Sequence, residues 1–116
     1  MLVIRGEQMR ALELSLFENW IADHLRRFFP AQCEQLGSDG LPDLIRYGIG
    51  RAQAHGFKAN PDVCRYLDIM LVFGSRFDQD LLWAREILED ARIVLPGMRM
   101  DMLHQAAVEH EPSPAL

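Results

Sequence analysis

The stretch from Asn60 to Gly74, NPDVCRYLDIMLVFG, limits what this chain can fold into more than any other. Asn60 can cap a helix, Pro61 suits its first turn, and Gly74 can end it in a left-handed turn. At about 100° per residue, Val63, Leu67, Ile69, Met70, Leu71 and Phe73 spread over more than half the circumference. Arg65 and Asp68 share the remaining sector with Val72. A helix this widely apolar needs other helices on more than one side. The expected fold is therefore all-α, a single compact bundle of about five helices over residues 1–110, followed by a disordered tail at 111–116.

The totals agree with one domain. A chain of 116 residues can bury roughly two-thirds of its unfolded surface without staples. No apolar run reaches the ~18 residues of a membrane span, and the apolar patch in MLVIRGEQ is too short for a secretory signal, so the expectation is a cytoplasmic protein with no membrane partner. Cys33 and Cys64 lack CxxC spacing and read as buried, reduced thiols. Seventeen acidic against twelve basic residues give a net charge of −5, which disfavours nucleic acid as a partner. Eleven of the twelve bases are arginine, the residue suited to bidentate, partly desolvated contacts, although nucleotide composition can produce the same bias.

Taken in order, Met1 to Ile4 read as a short extended segment. Glu7 to Phe29 read as a long amphipathic helix stopped by Pro30, its apolar face formed by Leu16, Phe17, Trp20, Ile21, His24 and Phe28. Ala31 to Gly37 allow one or two helical turns, and Ser38 to Gly40 a tight loop. A helix from Leu41 to His55 carries the stripe Leu41, Leu44, Ile45, Gly48, Ile49 and Ala52, and Gly48 within it suggests close approach of a neighbouring helix backbone, unless Gly48 and Gly50 merely weaken the helix. Phe57 is placed to pack over the next connection. Beyond Gly74, LLWAREILEDA forms a further helix, and a last one from Gly97 to Glu109 puts Met98, Met102, Leu103 and Ala106 inward.

Chemistry finds little foothold in these residues. His24 falls on an apolar face, His55 sits near a helix end, and His104 and His110 lack the i,i+4 spacing of paired metal ligands. No serine stands in a GxSxG turn, and the GIG at Gly48 to Gly50 lacks a phosphate loop's third glycine and preceding strand. Asp78 and Asp80 read as caps for the following helix. The expectation is thus a protein that is not an enzyme, with no cofactor, no metal site and no catalytic residue. An enzyme would need His24 or His55 to meet carboxylates from other helices. A helix-turn-helix regulator would need a polar second helix, where Asn60 to Phe73 offers mainly apolar side chains. Protein contact remains, with Arg76, Phe77, Trp83 and Arg85 as one candidate patch, unless Phe77 and Trp83 simply close the core, and Arg46, Tyr47 and Arg51 as a second; Met98, Met100 and Met102 of the last helix can adapt to a partner or fill the core.

The runs IRGEQMRAL (Ile4 to Leu12), HLRRFFP (His24 to Pro30), LIRYGIGRAQAHGF (Leu44 to Phe57), DVCRYLDIMLVFGSRFDQD (Asp62 to Asp80) and WAREIL (Trp83 to Leu88) resemble a group of small helical proteins. That group is encoded in bacterial type VI secretion effector clusters, beside PAAR tip proteins and toxins. The likeness covers about Ile4 to Leu88. It implies an accessory protein, an adaptor or co-chaperone that binds an effector, a chaperone or a PAAR-type protein during effector loading, with self-association as a homodimer a further expectation. An immunity protein binding a toxin would occupy the same kind of locus.

Overall fold

A computed structural model of the chain describes residues 6–111, the side chain of Glu7 excepted. The extended segment expected at Met1 to Ile4, and the tail after Glu111, lie outside the described residues. The fold is all-α: α1 Gly6–Phe28, α2 Pro30–Ala54, α3 Asn60–Phe73, α4 Phe77–Asp80, α5 Leu82–Glu89 and α6 Pro96–His110, with no strand among the described residues. Two compact units divide the chain, Met1–Arg46 and Tyr47–Leu116.

In the first unit α1 stops where the sequence requires it. Phe29 precedes a proline and is disfavoured in helical geometry, and Pro30 has no N–H to continue the ladder. The Phe29 N–H still donates to Leu25 O at 2.7 Å, and the Cys33 N–H then donates to Phe29 O at 3.0 Å, opening α2. That helix is broken at Gly37, whose φ of 76° and ψ of 179° suit glycine alone. The break takes one residue instead of the expected Ser38 to Gly40 loop, because a single positive-φ glycine turns the chain and those three residues become the next helical turn. Glu18, Ala22 and Arg26 of α1 face Pro42, Ile45 and Arg46 of α2 across a groove, and Glu18 pairs with Arg46 at 3.6 Å.

The broad apolar face expected on α1 is divided. Ile21 and Leu25 are fully buried, whereas Leu16, Trp20 and Phe28 are 59%, 56% and 60% exposed. The apolar arc of this helix is wider than one neighbour covers, so only its edge at Ile21 and Leu25 enters the core.

In the second unit α3 carries the core, burying Val63, Cys64, Tyr66, Leu67, Ile69, Met70 and Leu71. It packs against α4 and α6, and α5 lies against α4 and α6. Asn60 does not cap it: Ala59 is the cap residue, no side chain completes the cap, and Pro61 follows in the first turn. At the other end the Gly74 N–H donates to Met70 O at 2.8 Å, and φ is 104°, with a ψ of 159° that differs from the left-handed helical turn expected. Gly48 of α2 is buried where α3 arrives: a Cβ there would run into Leu67 Cδ2 and stand 2.9 Å from Met70 Sδ. The close neighbour is thus side chain, not the expected backbone. Phe57 is fully buried, and its N–H donates to Ala52 O.

The face of α6 differs from expectation. Met100, Leu103 and Ala107 are buried, while Met98 and Met102 are exposed. Helical spacing permits either stripe. The difference is made by Arg99, whose guanidinium donates to Ile87 O at 2.9 Å, Leu88 O at 2.6 Å and Ile93 O at 2.6 Å. By reaching carbonyls at the end of α5 and in the link that follows, it ties the first turn of α6 to both.

Candidate functional site

The densest polar chemistry in the second unit gathers around Asp78. The residue lies in the single turn of α4, immediately after Phe77, and both side chains are buried. Gly74 frees the chain from α3, and the turn that follows points Phe77 at Tyr66, with ring centroids 5.0 Å apart. Asp78 Oδ2 accepts from Arg51 Nε at 2.9 Å and also from Arg51 Nη2. His55 Nε2 lies 2.9 Å from the same oxygen. Arg51 and His55 stand one helical turn apart, so both reach a single carboxylate.

Tyr66 completes the group from α3. Its ring is fully buried between Phe57, Phe77 and His55, at centroid separations of 6.1, 5.0 and 6.0 Å. Neither the Tyr66 hydroxyl nor Asp78 Oδ1 is in a hydrogen bond, although the phenol is near enough to stabilise the carboxylate. Burial alone would raise the Asp78 pKa. His55, Arg51 and Tyr66 outweigh it and hold the carboxyl below its ordinary range. Burial first, and then the Asp78 charge, push the Tyr66 phenol far above its usual value, while the bond to Asp78 raises that of Arg51.

The Asp78 arrangement does meet one requirement for acid/base chemistry, a histidine against a carboxylate from another helix. Arg51 occupies the same oxygen, Tyr66 stays protonated, and the cluster ties the end of α2 to α4. The expected capping role of Asp78 is corrected: no side chain caps α4 or α5. Asp80 stays outside, 3.9 Å from Arg76. Cys64 is buried, and burial raises its thiol pKa to about 11, which keeps it a poor nucleophile at neutral pH.

The residues expected to form contact patches have separate fates. Phe77 is 1% exposed and belongs to the core. Arg51 is committed to Asp78. Trp83 is half-buried, with Phe73 edge-on at 5.2 Å and His110 stacked at 5.0 Å. Arg76 is exposed and donates to Gln79, Arg46 pairs with Glu18, and Arg85 and Tyr47 face solvent. The corner at Phe77 to Arg85 is therefore not one continuous aromatic patch.

Two apolar surfaces outside the two expected contact patches stand open instead. One is the outer side of α1. The other lies in the second unit, where Ile87, Met98, Met102 and Ala106 floor a shallow groove with Asp101, Gln105 and Glu109 on its sides. Val94 and Leu95, just before α6, are 82% and 61% exposed. The repeated methionines of α6 were the available signal for the groove. The sequence alone did not say which of them faced out.

No family model matches this chain, and comparison with curated proteins and with solved structures returned no match.

Proposed function

We propose that this chain is a non-catalytic accessory protein whose second unit holds an apolar, basic-flanked segment of a partner protein in the α5/α6 groove. The observation that carries the reading is the division of the α6 methionines, with Met100 fully buried and Met98 and Met102 half or nearly half exposed on the same helix. Methionine side chains adapt to varied apolar partners at low cost. Asp101 already pairs with Arg65 at 3.0 Å, and Glu109, which accepts from the neutral Gln105, favours a segment carrying arginine or lysine next to its apolar anchors. The resemblance to accessory proteins of type VI secretion clusters supplies the partner class, an effector or PAAR-type protein bound during loading.

The test is copurification with the product of a neighbouring gene. Met98→Glu with Met102→Glu should abolish capture while leaving the helical spectrum and melting temperature in place, and Trp83→Ala should weaken it less. Undiminished capture by the double methionine variant would refute the groove.

A further inference from the structure

The outer side of α1 carries a second, independent surface, and we propose that it pairs with the same helix of another copy of this chain, antiparallel, with the two-fold axis at Trp20. Met9, Leu12, Leu16, Trp20 and Phe28 are 41%, 47%, 59%, 56% and 60% exposed. The spacing of three, four and four keeps Met9, Leu12, Leu16 and Trp20 on one side of the helix, and Phe28, seven residues from Ile21, lies where that side meets the buried edge at Ile21 and Leu25. At about 1.5 Å per residue the stripe is roughly 28 Å long.

Its aromatic part is already ordered. Trp20 stacks on Phe17 at a centroid distance of 6.4 Å and on His24 at 5.6 Å, and His24 meets Phe28 at 4.9 Å. Rings held by their neighbours on the helix lose little freedom when a partner arrives, so less of the contact energy is spent on ordering.

Charge selects the partner and its direction. Glu13 lies on this stripe in the first half of α1 and Arg27 on it in the second half, both exposed, each seven residues from Trp20. Arg27 also sits over the Phe28 ring at 5.5 Å. A surface that complements this one needs apolar side chains at the centre, a base opposite Glu13 and an acid opposite Arg27. A second copy running antiparallel provides all three at once, forming the Glu13 to Arg27 pair twice. Parallel pairing would set Glu13 against Glu13 and Arg27 against Arg27, which is repulsive.

The area is sufficient for a reversible dimer. Five large side chains at about half exposure leave on the order of 500 Å² of apolar surface per copy, so pairing buries about 1,000 Å², the lower bound for a specific interface.

Sedimentation of the full chain from 1 to 200 µM tests the proposal. The expected result is a monomer–dimer equilibrium, moved at least tenfold towards monomer by Trp20→Glu with an unchanged helical spectrum. Glu13→Arg alone and Arg27→Glu alone should each dimerise at least tenfold more weakly, while an equimolar mixture of the two restores association as a heterodimer. That mixture keeps the test decisive even if Trp20→Glu disturbs folding. A monomer at 200 µM, a dimer indifferent to Trp20→Glu, or a mixture no stronger than its components would overturn it. Any of these would leave the stripe to a different protein.

Discussion

Asp78 accepts two hydrogen bonds from Arg51 on one oxygen, and the two partners differ in access to water: the Asp78 side chain is wholly buried, whereas that of Arg51 is 32% exposed. Loss of Arg51 leaves a carboxylate that cannot rehydrate, with His55 still on the same oxygen. Loss of Asp78 strands a cation that can. Arg51→Met should therefore destabilise the protein by about 3–5 kcal/mol, and Asp78→Asn by less, about 1–3 kcal/mol. Urea denaturation followed by circular dichroism measures both. Equal losses would show that the asymmetry of exposure has no energetic weight.

The same carboxylate sets an acid limb. Its folded pKa is lowered, so its ionised form contributes stability that is complete above the unfolded value of about 3.9 and is lost as pH falls through the folded value. Asp78→Asn should flatten that part of the stability curve below pH ~4 without altering its slope near neutrality. An unchanged acid limb would assign it to other carboxyl groups.

Gly48 gives α3 its close seat. Gly48→Ala places a methyl group into Leu67 and near Met70, which should cost about 1–3 kcal/mol despite alanine's better helix propensity. Leu67→Ala opens the space that the methyl group needs. The double variant should thus be more stable than the sum of the single losses implies, as a thermal-melt cycle would show.

Arg99 holds the carbonyl oxygens of Ile87, Leu88 and Ile93, the first of which also accepts from the Asp90 N–H at 3.4 Å. Arg99→Met should cost about 2 kcal/mol, and Arg99→Lys, with one ammonium in place of a planar fork, should recover only part of it. Native-state hydrogen exchange should show the loss concentrated in α5 and the first turn of α6.

Helix positions were largely legible because periodicity and proline punctuation are local signals. Leu41, Ile45, Gly48, Ile49 and Ala52 are buried as their stripe predicts, and Arg65 alone among residues 63–71 is exposed. The site was not legible. Asp78 reads as a surface cap until Arg51, 27 residues earlier, is seen beside it, and no local pattern encodes that meeting. The α1 and α6 faces failed for a related reason. Each helix has more apolar surface than its neighbours cover, and hydrophobic spacing does not say which part is left over. At the contact corner the alternative in which Phe77 closes the core is the one observed, because the turn after Gly74 points the ring inward.

One turn of helix is far too short to persist unaided. The segment 75–80 owes its position to two adjacent anchors, Phe77 against the Tyr66 ring and Asp78 against Arg51. Until the end of α2 and the middle of α3 have come together there is nothing for either anchor to grip. The latch therefore closes only after Arg51 and Tyr66 have been brought together, and it reports on that meeting: a chain in which these two are misaligned has no seat for residues 77 and 78.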